Sequence, residues 1–341
     1  MRRFLLSAIL SSTPCASLSL PASAARPAGD HIVSAISADG STSAKAIVST
    51  ALCSETARLQ GLGGLAAAAL GRALTCCLLV AEGCEPDEVF QVRFDGDGPL
   101  RGVLALANGK REARGYVGNP AVTLPPNADG KFDVGGGVGK GTLQVVRIKN
   151  LPGETVPRPY TSVVEIVSGE IPEDINLFLA ESEQTEGALA AGVFVQGVDR
   201  EGVDRNGERS NAADVRAAGG WKVALLPGAD EATVAILLSN LQTLDRSPTQ
   251  MIRDGLGAED IVRRLLDGLE PTVFKPARPP LLSESCPCCD ERVWRTIKLL
   301  PRNEIDEIIE SSGERVEVKC EFCGRKYGLT PDQIEAELAR S

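Results

Sequence analysis

The stretch SCPCCDERVWRTIKLLPRNEIDEIIESSGERVEVKCEFCGRKYGL, Ser285 to Leu329, decides how this chain is read. It carries Cys286 and Cys288 in a C-x-C step and Cys320 and Cys323 in a C-x-x-C step. Thiol pairs at such spacings let a protein with a single histidine close a tetrahedral zinc shell. That histidine, His31, lies far upstream, so four thiolates are the economical ligand set. The competing assignment is two disulfides or four unconnected thiols. A C-x-C bridge is poorly suited to a relaxed structural disulfide, because so short a loop is strained by closure. The same strain suits a reversible switch.

Between the pairs, Val293, Ile297 and Leu300, then Ile305, Ile308 and Ile309, recur at helical spacing around Pro301. Gly313 stops the second helix. RVEVKCEFCGRKYGL then predicts a strand, a tight cysteine turn closed by Gly324, and a return strand. From Ser283 to Ser341 there are thirteen Asp or Glu against nine Lys or Arg. A zinc ribbon gripping phosphates should be basic, so this module is a poor nucleic-acid binder. The formal charge of −10 over the whole chain of 341 residues points the same way.

Upstream, ISADGST, ALGRALT, DGDGPLRGV, GYVGNPAVTLPPNADGKFDVGGGVGKGTL and IVSGEIPEDI followed by SEQT stand in order before the cysteine segment. With the cysteine pairs about thirty residues apart, these blocks resemble the 33-kDa heat-shock protein family of redox-regulated holdase chaperones, over roughly Asp30 to Leu338. The resemblance implies one zinc ion per chain in the reduced state, held by Cys286, Cys288, Cys320 and Cys323. It implies disulfides Cys286–Cys288 and Cys320–Cys323 on oxidation, unfolded client proteins as partners, a homodimer when oxidised, and no enzymatic activity. Cys289 departs from the family pattern, which asks for no thiol there. It is an alternative ligand to Cys288 or an alternative disulfide partner.

The chain is long enough for about two domains, and its 43% hydrophobic content permits a core, built of Leu, Val, Ile and Ala because aromatics are only 4%. Residues 1–29 hold three arginines and no acid and are rich in Ser and Ala, the composition of a targeting peptide. Secretion would oxidise a thiol site permanently. An organelle is expected instead: the plastid stroma, since Ser and Ala outweigh Arg, with the mitochondrial matrix as alternative. After the leader no run of eighteen apolar residues is expected, so no membrane partner is.

The remainder predicts an α+β core over 30–228, a helical linker over 229–282 and a zinc-binding redox-switch domain over 283–341. HIVSAISADGSTSAKAIVST reads as strand, turn, strand, and the Ala- and Leu-rich run 51–82 as helix broken near Gly61 to Gly64. FQVRFDGDGPLRGVLALANGKREARGYVG gives three strands. Further strands fall at TLQVVRI, SVVEIV, GVFVQGV and WKVALLP, with a helix over PEDINLFLAESEQ. Residues 197–213 read as a hairpin loop. In the linker, Val234, Leu237, Leu238 and Leu241 form one apolar stripe and Ile261, Leu265 and Leu269 another, faces that need cover. PTVFKPARPP is extended, because its prolines exclude helix. By resemblance the linker is metastable and unfolds when the zinc domain is oxidised.

Several motifs carry nothing. Gly61, Gly63 and Ala66 fit G-x-G-x-x-A but follow a helix-like segment rather than a strand, so no dinucleotide fingerprint is expected. VGGGVGKGT fails the phosphate-loop pattern at Val134 and at Gly141. Asp95 and Asp97 are turn residues. Cys76 and Cys77 sit in an apolar helix as small hydrophobes, Cys53 and Cys84 are bystanders, and Cys15 leaves with the leader. Two other classes compete with the chaperone: a zinc hydrolase, which needs an open metal position that four cysteines close, and a zinc-ribbon nucleic-acid-binding regulator.

Overall fold

The computed structural model describes residues 29–149, 158–198, 212–276, 278–282, 290–313 and 315–339. The elements run β1 (His31–Ile36), β2 (Thr42–Val48), α1 (Thr50–Gln60), α2 (Gly64–Ala81), β3 (Val89–Gly96), β4 (Val103–Asn108), β5 (Glu112–Val117), α3 (Val134–Val138), β6 (Gly141–Lys149), β7 (Arg158–Glu165) and α4 (Pro172–Glu181). They continue with β8 (Gly187–Val198), β9 (Ala213–Leu225), α5 (Glu231–Thr243), α6 (Pro248–Arg253), α7 (Ala258–Leu265), β10 (Thr272–Phe274), β11 (Leu281–Leu282), α8 (Asp290–Ile297), α9 (Arg302–Ser312), β12 (Val316–Lys319), β13 (Lys326–Leu329) and α10 (Pro331–Leu338). This is an α+β fold. One sheet has the order β10-β1-β2-β9-β8, a second β11-β5-β4-β3-β6-β7, and β12-β13 form a small hairpin.

The break between α1 and α2 follows from glycine chemistry. Gly61 ends α1 at φ +68°, a left-handed conformation in which its N–H reaches the Ala57 carbonyl. Past it, GLAAAALGRALTCCLLVA forms α2, which is buried almost all round because it packs against strands of both sheets. It is the one helix among the described residues long and apolar enough to cross a membrane, yet 89% of that window is buried in the fold. Its charge, Arg72, reaches the Glu170 carboxylate. Cys53, Cys76 and Cys77 are buried in this core. Burial pushes the Cys53 thiol up to about 12, and those of Cys76 and Cys77 up as well.

The glycine run after Asp133 makes a single short turn, α3, not a phosphate cradle. Its glycines are required by close backbone approach: a Cβ at Gly141 would lie 2.0 Å from the Asp95 carbonyl oxygen. Asp97 Oδ1 meanwhile accepts from the Lys140 N–H at 2.7 Å, a turn role. β8 and β9 pair antiparallel, and most of the polar tract 197–213, read as a hairpin loop, lies outside the described residues.

The outer face of the five-stranded sheet is covered by α5, α6 and α7. Val33, Ala35, Ala44, Ala46, Trp221 and Val223 form one buried cluster with Leu237, Met251, Ile261 and Leu265. The predicted stripes largely hold: Leu237, Ile261 and Leu265 are buried, Leu241 and Leu269 pack against the same cluster, and Val234 and Leu238 are half-buried beside it. The extended segment that follows is stitched into the core twice. β10 pairs antiparallel with β1, and β11 pairs parallel with β5, so the two short strands join different sheets.

Candidate metal centre

Lys319 pairs with Lys326 at the tip of the β12–β13 hairpin, which leaves Cys320 to Arg325 as the turn. The Cys320 N–H donates to the Arg325 carbonyl at 2.8 Å, and the Gly324 N–H donates to the Cys320 carbonyl at 2.8 Å. Gly324 stands at φ +69°, where a side chain is strained, and a Cβ there would lie 2.6 Å from the Leu59 carbonyl oxygen. Cys323 is buried and Cys320 half-buried. Glycine is thus demanded by backbone twist and by contact with the core together.

Cys286, Cys288 and Cys289 lie outside the described residues. Among the described residues no group of three or more His, Cys, Asp or Glu is gathered for a metal. The donor chemistry nevertheless fits zinc. Two thiols three residues apart in one tight turn supply half of a sulfur tetrahedron. The chain re-enters directly after Cys289 in α8, whose Val293 and Ile297 share a small core with Ile305, Val316, Leu329 and Ile334. The same module therefore holds the cysteine turn and the helix that follows the first cysteine cluster.

The turn also docks on the core. The Phe322 ring stands edge-on to Tyr116, centroids 5.2 Å apart at 86°, and the Arg114 guanidinium lies 5.0 Å from its centroid. Gln60 Nε2, at the end of α1, donates to the Gly115 carbonyl at 2.7 Å and to the Phe322 carbonyl at 2.9 Å. Sequence reasoning missed these four residues. The signal available was an aromatic in the variable part of C-x-x-C, which spacing rules pass over.

His31 sits away from the cysteines. Its Nε2 accepts from the Ala258 N–H at 2.9 Å, at the start of α7, and this fixes Nδ1 as the donor to the Gly29 carbonyl at 2.8 Å. Ala258 is the first residue of α7, whose opening amides have no partner within the helix. The sole histidine thus caps a helix of the 229–282 segment.

Comparison with known proteins identifies the family. The model of the Hsp33 protein family matches residues 30–330. The chain belongs to the Hsp33 family. It is 38% identical over 308 residues to the 33 kDa chaperonin of Acaryochloris marina, covering 89% of this chain and 95% of the relative. It is 33% identical to that of Ruminiclostridium cellulolyticum, covering 90% and 97%. The crystal structure of the 33 kDa chaperonin (heat shock protein 33 homolog) from Thermotoga maritima matches with a TM-score of 0.73 at 27% identity, covering 91% of this chain and 98% of that one. Membership in the Hsp33 family supports a chaperone function for this chain.

Proposed function

We propose that this Hsp33 family member is a redox-regulated, ATP-independent holdase that binds unfolding proteins under oxidative stress. The observation that carries the reading is the seat of the cysteine turn on the core through Phe322 and Gln60. A change at Cys320 and Cys323 acts directly on that contact. Cys286, Cys288, Cys320 and Cys323 would hold one zinc ion. When bound, the metal cross-links the two ends of a module whose own apolar core is small.

The redox step is thiol chemistry. In each pair two thiols lose two electrons and two protons to hydrogen peroxide, giving one disulfide and two waters. A C-x-x-C disulfide changes the turn that Gly324 and Cys320 close, and Phe322 between them loses its seat. The module and the 229–282 segment then cease to cover the core. Apolar surface is exposed, including the sheet face now under α5 to α7, and client polypeptides bind there. We place oxidised molecules as homodimers on the resemblance to the family, and the protein in the plastid stroma, with the mitochondrial matrix as alternative, on the composition of residues 1–29. The acidic module disfavours nucleic acid as the partner.

The test uses the reduced protein without its leader. Zinc is quantified before and after peroxide at mild heat, and light scattering follows an unfolding client. Loss of about one zinc per chain together with suppressed aggregation is expected. Retained zinc, or a client that aggregates as if no chaperone were present, would overturn the reading.

A further inference from the structure

We propose that the outer edge of β5 is a docking site for extended polypeptide, which enters by strand addition when its two covers leave. The inference rests on the holdase reading and names where on the core a client would sit. Along one side β5 is paired with β4. On the other, among the described residues, its strand partner is the two residues of β11, in the register Leu281↔Glu112 and Leu282↔Ala113.

Two hydrogen bonds show which main-chain groups face that edge. The Leu281 N–H donates to the Arg111 carbonyl at 2.9 Å, and Gln60 Nε2 donates to the Gly115 carbonyl at 2.7 Å. Residues two apart on a strand turn their main-chain groups to the same side. Ala113, Gly115 and Val117 therefore point theirs outward, while Glu112, Arg114 and Tyr116 point theirs at β4; Arg111, in the turn before the strand, adds its carbonyl to the outward row while its N–H turns back to the Asn108 carbonyl. Among the described residues the outward row has two covers. β11 lies over its first part, and Gln60, fastened by the same amide to the Phe322 carbonyl, lies over Gly115.

Each cover is attached to one cysteine pair. Leu282 precedes Cys286 by four residues, and Phe322 stands between Cys320 and Cys323. A joint between the pairs holds both covers down, and its loss frees both. The edge left behind is well supported. Ala113 and Val117 are buried against the core, and Arg111 is fixed by a two-pronged ion pair to the buried Glu82 at 2.7 and 2.9 Å. A side chain at Gly115 would meet the Leu104 carbonyl oxygen at 2.4 Å, so this strand cannot shift easily against β4.

The occupant is an extended apolar segment of an unfolding protein, because the chain's own cover is one. Leu281 and Leu282 are apolar and extended, and main-chain bonds of the short parallel ladder, among them Leu281 N–H to the Arg111 carbonyl, anchor them. Recognition through main-chain groups is indifferent to side-chain order, which is what a client-tolerant chaperone needs.

The test compares full-length wild type with the double variant Leu281→Pro/Gln60→Ala, which loosens both covers without touching a cysteine. The probe is a synthetic peptide of about ten alternating Leu and Thr residues, long enough to form a strand, alongside its fully N-methylated form. Residue-resolved amide exchange is read on the reduced variant and on oxidised wild type. In both, the Ala113 and Gly115 amides should exchange about tenfold faster or more than in reduced wild type, and with peptide the Ala113, Gly115 and Val117 amides should slow. The Glu112, Arg114 and Tyr116 amides should stay protected throughout, and the N-methylated peptide should have no effect. Three results overturn the inference: peptide binding without renewed protection of the outward amides, equal binding of the N-methylated peptide, or protection that follows protein concentration, which would make a second copy the occupant. If oxidised wild type held clients while the outward amides ignored the peptide, only this inference would fall. If the reduced variant gave the alternating pattern but oxidised wild type held no client, the holdase reading would fall and the strand site would stand.

Discussion

The side-chain amide of Gln60 donates to the Phe322 carbonyl at 2.9 Å across 262 residues of chain, and its second bond goes to Gly115 on the sheet edge. One amide group thereby ties the cysteine turn to the core. With the edge-on contact of Phe322 and Tyr116 it defines a latch whose parts can be tested singly.

Phe322→Ala removes an aromatic pair and a cation contact that together stabilise docking by roughly 1–2 kcal/mol. Zinc content should be unchanged, because Phe322 is no ligand. Client protection should then begin at a lower peroxide dose or a lower temperature than in wild type. A threshold identical to wild type would show that the latch carries no regulatory weight. In a double-mutant cycle with Tyr116→Ala the two changes should couple by about 0.5–1.5 kcal/mol.

Gly324→Ala forces a left-handed residue and a contact with the Leu59 carbonyl at once. Backbone strain of this kind costs of order 1–3 kcal/mol. Thermal unfolding followed by tryptophan fluorescence should show early loss of the module, whose Trp294 packs on its core, before the main transition.

Cys289→Ser should leave zinc at one per chain, whereas Cys288→Ser should lower zinc affinity strongly. The reverse pattern would move the ligand to Cys289. Metal analysis after dialysis against a weak chelator separates the two.

The buried thiols should be silent. With Cys53 held near 12 and Cys76 and Cys77 raised by burial, iodoacetamide at pH 8 should label them more than about a hundredfold slower than a free thiol. Because their pKa values are raised on folding, the stability they contribute is intact below the unfolded thiol range near 8.5 and lost as pH rises through the folded values. Urea midpoints should therefore fall above about pH 8.5. The Cys53→Ser/Cys76→Ala/Cys77→Ala variant should fall less.

Asp39 responds to acid. Its carboxylate takes hydrogen bonds from the Ser37 and Ser41 hydroxyls at 2.6 Å each and is held down at about 2 by them. Thr233, at the foot of α5, reaches the same group at 3.5 Å. A lowered carboxylate pKa gives stability present above about pH 4 and lost as pH falls toward 2. Asp39→Asn should flatten that part of the stability profile, measured by urea unfolding between pH 5 and 2.

The amino-acid sequence by itself determined the local elements. The hairpin of β1 and β2 around Asp39-Gly40, the helix break at Gly61 to Gly64, the break at Pro301 and the cysteine turn at Gly324 all arise from interactions a few residues apart. Glycine at positive φ, proline without its N–H and apolar periodicity act at that range, so they can be read off in order. The ordered blocks also carried the family, and the family carried the expected ligands. Tertiary structure decided everything that depends on who meets whom. Nothing local says that Thr272–Phe274 joins one sheet and Leu281–Leu282 the other, or that His31 caps a helix 227 residues away. Nor does it say that Phe322 is more than a spacer between two cysteines. Those pairings are chosen by burial and by main-chain groups seeking partners across the whole fold, and a one-dimensional pattern does not record them.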